Sequence, residues 1–388
     1  MLSVSIHIKE LKPLEIYLDN SATTRVCREA AEKMTDMLIN NYGNPSSLHK
    51  KGIEASMALE KARGYLADAL SCSKDEIYFT SSGTAANNTA IFGAVSTNRR
   101  KGNRIITTSV EHPSVSECMK KLEAQGYEIV RLRPDSKGAF SPIELMNAIN
   151  QNTVLISVMA VNNEIGTINP VNQLKTAVKR ANSQALIHVD AVQAFGKIPL
   201  SPARAGIDLM TVSSHKIHGP KGAGALYVRK GLQIQPHVVG GGQEKGLYSG
   251  TEAMPAIIGF GEAVRVLPDL NREYEEVRRI RDGFIKEVTK IGGVHINSSP
   301  DSLPYIINMS VLGVPSQTMV NALSEKGIYI SAGSACKKGH RSEVLTAIGL
   351  DPKFIDSAVR VSLSRYTTAD EMHQLADAVD SIVKRIRR

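Results

Sequence analysis

An α/β fold on a mainly parallel central sheet, with a smaller C-terminal α+β domain, is what the 388 residues call for. Three features carry that reading. Between about residues 75 and 230, short β-rich runs alternate with amphipathic stretches, the pattern of strand–helix–strand units. Most of the runs are near-continuously apolar, as strands covered on both faces are. After residue 260 the alternation gives way to one long helical stripe.

In chain order the predicted strands are Ile77–Thr80, Ile105–Thr108, Glu128–Leu132, Val154–Ala160, Leu186–Asp190, Leu209–Ser213 and Ala225–Arg229. Ser114–Gln125, Ser141–Ile149 and Val171–Asn182 supply helices between them, and Ser82-Gly83-Thr84 opens a further helix. Downstream, Leu270, Tyr274, Val277, Ile280, Phe284, Val288 and Ile291 recur at helical spacing until Gly292-Gly293 ends the run. There is no internal repeat and no low-complexity linker. At about 150 residues per domain, the expected division is a large α/β domain over 15–262 and a small α+β domain made of 1–14 plus 263–388.

Composition narrows the class. Apolar residues make up 42% and charged residues 22%, which excludes a disordered chain, a collagen-like repeat and a coiled coil. The longest apolar run, near Val154–Val161, is broken by Ser157 and is too short to span a bilayer, so no membrane role is expected. The first fifteen residues carry Lys9, Glu10, Lys12 and Glu15 and no secretory core. Cys27, Cys72, Cys118 and Cys336 form no CxxC pair, which disfavours a zinc knuckle or disulfide framework and suits a reducing, cytoplasmic setting. Four of the nine net positive charges lie in the last five residues (Lys384, Arg385, Arg387, Arg388). That tail reads as a solvated helix end, with an acidic partner or RNA as the other reading. Aromatics are only 5% and Trp is absent, so nucleic-acid stacking is not expected.

In an open α/β sheet, ligands bind beyond the carboxyl ends of the strands. Five of the predicted strands run into polar clusters there: Ser81-Ser82-Gly83-Thr84, Glu111-His112-Pro113, Asn162-Asn163-Glu164, Asp190-Ala191-Val192-Gln193 and Ser213-Ser214-His215-Lys216. Helix-opening N–H groups and a hydroxyl at Ser82-Gly83-Thr84 suit a phosphate. Asp190 can pair a protonated ring nitrogen, Lys216 can form a Schiff base with an aldehyde, and His112 can stack on a flat ring. Ser213 and His215 can add donors to a phosphate. Taken singly, these are also a helix cap, a surface lysine and a turn histidine. Taken together they describe a site for pyridoxal 5'-phosphate, which needs a lysine for its aldehyde and an acid for its pyridinium nitrogen. His215 and His218 are three apart, but Gly219-Pro220 spoils a helical placement, so no metal site is expected.

These residues give the sequence a resemblance to the class V, fold-type I pyridoxal-phosphate enzymes, and within them to the cysteine desulfurases of the NifS/IscS type. The resemblance runs from Tyr17-Leu18-Asp19-Asn20-Ser21-Ala22-Thr23-Thr24 to Arg360-Val361-Ser362-Leu363. It passes through Gly43-Asn44-Pro45-Ser46-Ser47, Glu111-His112, Asn162-Asn163-Glu164, His188-Val189-Asp190, Ser214-His215-Lys216, Gly240-Gly241-Gly242-Gln243-Glu244 and Ser249-Gly250-Thr251. It implies that Lys216 is the Schiff-base lysine and the proton carrier at the substrate Cα. It also implies that Asp190 binds the pyridinium nitrogen, Gln193 the ring hydroxyl, and Asn163 the ring and substrate. His112 would stack on the ring and help move protons. Gly83, Thr84, Ser213 and His215 would hold the phosphate, and Thr251 would reach the phosphate of a neighbouring subunit, making a homodimer with shared sites. Arg360 would clamp the substrate carboxylate.

By the same resemblance Cys336 attacks the sulfur of bound L-cysteine and carries it as a persulfide. L-alanine is then released and the sulfur passes to an acceptor protein, in iron–sulfur cluster assembly or in tRNA or thiamine thiolation. Lys337, Lys338 and His340 place positive charge beside Cys336, which favours the thiolate, and Gly333 and Gly339 flank it. Three departures from the family pattern stand out: Tyr248 where many relatives carry arginine, Ser214 where glycine is common, and Lys337-Lys338-Gly339-His340 in place of small hydroxyl residues. The alternative reading is a selenocysteine lyase or another class V aminotransferase.

Overall fold

The computed structural model describes residues 15–333 and 341–387. The chain enters through a short strand β1 (Ile16–Tyr17) and two helices, α1 (Arg28–Ile39) and α2 (Lys50–Leu70). The alternating stretch follows as β2 (Ile77–Thr80), α3 (Gly83–Asn98), β3 (Arg104–Thr108), α4 (Pro113–Ala124), β4 (Glu128–Leu132), α5 (Pro142–Ala148), β5 (Thr153–Met159), α6 (Leu174–Arg180), β6 (Leu186–Asp190), α7 (Pro202–Ala205), β7 (Leu209–Ser213) and β8 (Gly224–Val228). The predicted strands fall within a residue of these bounds. Pro113, Pro142 and Pro202 each stand in a first helical turn, where the missing N–H costs nothing.

The remainder is α8 (Met254–Arg265), α9 (Leu270–Val288), β9 (Val294–Ile296), β10 (Ile306–Val311), α10 (Ser316–Ser324), β11 (Ile328–Tyr329), β12 (Ser331–Ala332), α11 (Glu343–Ala347), α12 (Pro352–Ile355), β13 (Ala358–Ser362) and α13 (Ala369–Ile386). Asp269 caps α9, whose buried stripe includes Val277, Ile280, Phe284 and Val288, as the spacing predicts. Thr368 and Glu371 form a capping box at the start of α13.

One seven-stranded sheet has the order β2-β8-β7-β6-β5-β3-β4. Its β3–β4, β3–β5, β5–β6 and β6–β7 pairs are parallel. β8 alone runs the other way, antiparallel to both β7 and β2. The reason is the connection. Only residues 214–223 separate β7 from β8, too few for the helical crossover a parallel return requires. Strands β5, β6, β7 and β8 are buried along their whole length. A four-stranded sheet, β12-β13-β10-β9, is antiparallel, and β1 pairs in parallel with β11. The segment after β1 is stitched to β13: Asn20 Nδ2 donates to Ser362 O at 2.9 Å and Ser21 N to Ser362 Oγ at 2.9 Å. This brings residues 19–24, 331–333 and 341–344 and Arg360 of β13 over the carboxyl ends of the large sheet.

Candidate active site

A cavity of about 860 Å³ opens there. Its wall includes Gly83, Thr84, His112, Asn163, Asp190, Gln193, Ser213, His215, Lys216 and Arg360. The fold brings these ten residues to one cavity. Thr251 is exposed and outside this wall, and Cys336 lies outside the described residues.

β6 ends at Asp190, which is buried. Its Oδ1 accepts from Val192 N at 3.0 Å and its Oδ2 from Asn87 Nδ2 at 2.7 Å. Asn87 Nδ2 also donates to Ser114 Oγ at 2.8 Å. Ser114 Oγ in turn lies 2.8 Å from His112 Nδ1. That ring nitrogen also accepts from Ser114 N at 3.1 Å, so it carries no proton, and a neutral His112 keeps its proton on Nε2. The surrounding protein withholds water from the imidazolium and holds the His112 pKa below its ordinary value; Asp190 opposes this and Lys216 adds to it. A chain of four side chains thus joins the acid of the site to its histidine.

Lys216 follows β7 in a single 3-10 turn. Its Nζ donates to Ser21 O at 2.5 Å and Ala22 O at 2.8 Å. Gln193 Nε2 donates to Ser21 O at 3.0 Å, and its Oε1 accepts from the buried Lys197 Nζ at 3.2 Å. The amide is therefore fixed with its N–H side toward the lysine's own acceptor. Burial pushes the Lys197 amine down to about 7, with Lys216 and Arg360 adding to the effect. His215, held by Thr23 Oγ1 at 3.2 Å, is likewise pushed down to about 4, first by burial and then by Lys216.

The first turn of α3 forms the anion end. Ser82 Oγ takes Ala85 N at 3.1 Å, leaving other first-turn N–H groups without intrahelical partners. Ser213 Oγ is buried with no partner beside this turn, 3.6 Å from where a Cβ on Gly83 would stand. Close approach demands glycine at 224, where a Cβ would lie 2.5 Å from Ser82 C, and a Cβ on Gly83 would crowd Val192 Cγ2 at 3.0 Å. At the opposite side of the cavity Arg360 Nη1 donates to Asn163 O at 2.9 Å. Glu111 is buried; its Oε1 accepts from Thr108 Oγ1 at 2.6 Å and Met159 N at 3.1 Å, while Oε2 has no partner. Burial raises its pKa to about 8.

Comparison with known proteins places this geometry. The Aminotransferase class-V family matches residues 16–375. The chain belongs to the class V aminotransferases. Among its relatives, the cysteine desulfurase IscS of Methanosarcina thermophila is 40% identical over 376 residues, covering 96% of this chain and 93% of the relative. The NifS/IcsS protein homolog of Lactobacillus delbrueckii subsp. bulgaricus is 41% identical over 375 residues, covering 95% and 97%. A solved NifS-like protein superposes with a TM-score of 0.91 at 38% identity, over 96% of this chain and all of that one. The structure of SspA in complex with cysteine gives 0.81 at 32%, over 91% of this chain and 100% of that one. The match of this class V chain to the NifS-like fold agrees with the predicted α/β architecture.

The class V site contains groups the motif reading passed over. Asn87 carries no chemistry by type, but it stands one helical turn beyond Gly83 and so shares its face. Ser114 is concealed as a residue of the turn after His112-Pro113. The carbonyls of Ser21 and Ala22 have no side-chain signature at all.

Proposed function

We propose that this chain is a pyridoxal-phosphate-dependent cysteine desulfurase that converts L-cysteine to L-alanine and loads the sulfur on Cys336. The observation that carries the reading is the shared cavity wall of Lys216, Asp190, His112 and Arg360, in a chain whose relatives bear that activity by name. The residues fit the cofactor. The partnerless hydroxyl of Ser213 beside the α3 N-terminus suits its phosphate, and Asp190, already fixed by two donors, suits its ring nitrogen. Gln193 offers an N–H to the ring oxygen. When bound, pyridoxal phosphate supplies the electron sink that acidifies the substrate Cα–H.

The chain's own residues do the rest. Arg360 receives the substrate carboxylate, and Asn163 touches the ring and substrate. Lys216 removes and returns the proton at Cα, handing off from the carbonyls of Ser21 and Ala22. His112, neutral and protonated on Nε2, is the proton donor facing the ring and substrate. Cys336 attacks as thiolate: its sulfur bonds to the substrate sulfur, the substrate C–S bond breaks, and Cβ gains a proton to become the alanine methyl. An acceptor protein with a thiol or cluster-building role then takes the persulfide sulfur. The same reading includes a homodimer, in which Thr251 reaches a neighbour's phosphate, and the division into 15–262 and 1–14 plus 263–388. Among the described residues no helix is long and apolar enough to cross a membrane.

The test is an assay of purified protein with L-cysteine and a reductant. Equal sulfide and alanine are expected. Cys336→Ala should keep the absorbance of bound cofactor and lose sulfide, and Lys216→Ala should lose that absorbance. Native-rate turnover by Cys336→Ala refutes the persulfide step.

A further inference from the structure

Behind the cavity wall stands a carboxylate that the mechanism above does not use. Asp19 lies between β1 and α1. Its Oδ1 accepts from Arg360 Nη2 at 2.9 Å and from Ser331 Oγ at 2.7 Å. Arg360 Nη2 also reaches Ser331 Oγ at 3.3 Å, and β12–β13 pairing sets Ser331 opposite Arg360. The two side chains are 20% and 11% exposed, shielded enough for the pair to hold its geometry. Arg360 Nε is buried without a partner. Arg360 lines the cavity and Asp19 does not.

The guanidinium offered to a substrate carboxylate is thus already ion-paired. Asn163 O and Asp19 fix its plane from two sides, and the second Nη1–H and the buried Nε–H are the donors left over. A carboxylate arriving at Arg360 gains an oriented partner, yet meets the field of a second carboxylate on the same guanidinium. Like charges so placed oppose one another.

We propose that Asp19 is a positioning residue that sets the strength of the Arg360 clamp. It orients the guanidinium and offsets part of its charge, so that the α-carboxylate is aligned while L-alanine, which carries the same group, is released. This deepens the desulfurase reading and rests on it. An enzyme gains nothing by holding substrate and product equally hard.

Two substitutions separate charge from orientation. Asp19→Asn keeps an acceptor toward Nη2 and Ser331 but removes the charge; Asp19→Ala removes both. The cofactor-loaded protein is titrated with L-alanine by calorimetry. Asp19→Asn should bind alanine about three- to tenfold more tightly than the native chain, and Asp19→Ala more weakly by a similar factor. KM for L-cysteine should move in the same two directions. A residue that merely holds the fold weakens binding in both variants. Unchanged or weaker binding in Asp19→Asn overturns the proposal, whether or not Asp19→Ala folds. Failure of the native chain to release sulfide would refute the desulfurase reading instead, and the alanine titration would still decide the role of Asp19.

Discussion

Replacing Arg63 by Met is expected to cost the fold about 3–5 kcal/mol, because it strands a buried carboxylate. Arg63 on α2 and Glu244 are 6% and 4% exposed. Arg63 Nη1 and Nη2 meet Glu244 Oε2 and Oε1 at 2.8 and 2.9 Å, a bidentate pair. Arg63 also donates to Ile77 O at 2.8 Å and to Glu60 Oε1 at 2.9 Å, while Glu244 accepts Phe79 N at 2.8 Å. With Arg63 gone, that one N–H must hold the charge and Ile77 O loses this donor. The pair also secures a costly turn: Glu244 and Lys245 have φ of 48° and 55°, a region that costs a side-chain-bearing residue about 1–2 kcal/mol. The chain has no Trp, so far-UV circular dichroism against urea is the natural assay. The double variant Arg63→Met with Glu244→Leu removes both charges together and should recover about 2 kcal/mol of the single variant's loss. A loss below about 1 kcal/mol for Arg63→Met, or a double variant no better than the sum of its parts, would refute the reasoning.

Two further outcomes follow from the site. Asn87→Ala withdraws the donor at Asp190 Oδ2, a charge-assisted bond contributing about 1.5–3 kcal/mol, and should weaken pyridoxal-phosphate binding about tenfold or more in an absorbance titration. Glu111 takes up its proton more readily when folded, with a pKa of about 8 against an ordinary 4.5, so its contribution to stability is full below pH 4.5 and is lost as pH rises through 8. Glu111→Gln should flatten that decline when urea midpoints at pH 5 and pH 8.5 are compared; an equal decline in native and variant protein would rule the assignment out.

What could be read from residues alone depended on whether a pattern repeats along the chain. β5 and β6 announce themselves as unbroken apolar runs, and α9 by its stripe. α8 does not. Its sequence is apolar nearly all round, and Gly259 and Gly261 look like interruptions. In the fold they are contact points: a Cβ on Gly261 would lie 2.6 Å from Ala62 Cβ, and one on Gly259 would lie 2.7 Å from Met34 Cγ. α1 opens at Cys27 with no side-chain cap, so the usual start signal is missing. The reversed direction of β8 depends on loop length rather than residue type. In the site, Asp190, Lys216 and His112 were legible because their chemistry is rare at strand ends. Asn87, Ser114 and Asp19 were not, because each acts only through a neighbour that the fold supplies.

The acceptors of the Lys216 amine belong to Ser21 and Ala22, and Ser21 N is pinned by Ser362 Oγ, 341 positions away. Translation therefore produces the lysine and its acid long before it produces the strand that seats the floor beneath them. Every strand of the seven-stranded sheet has been made once residue 228 is made, and that sheet can assemble from contacts within it. Closing the floor waits for β13, one of the last elements synthesised. A nascent chain halted near residue 300 would present an ordered sheet with an unfinished pocket. On the cofactor reading proposed above, capture of pyridoxal phosphate is a late event in biogenesis, and its retention reports that synthesis has passed β13.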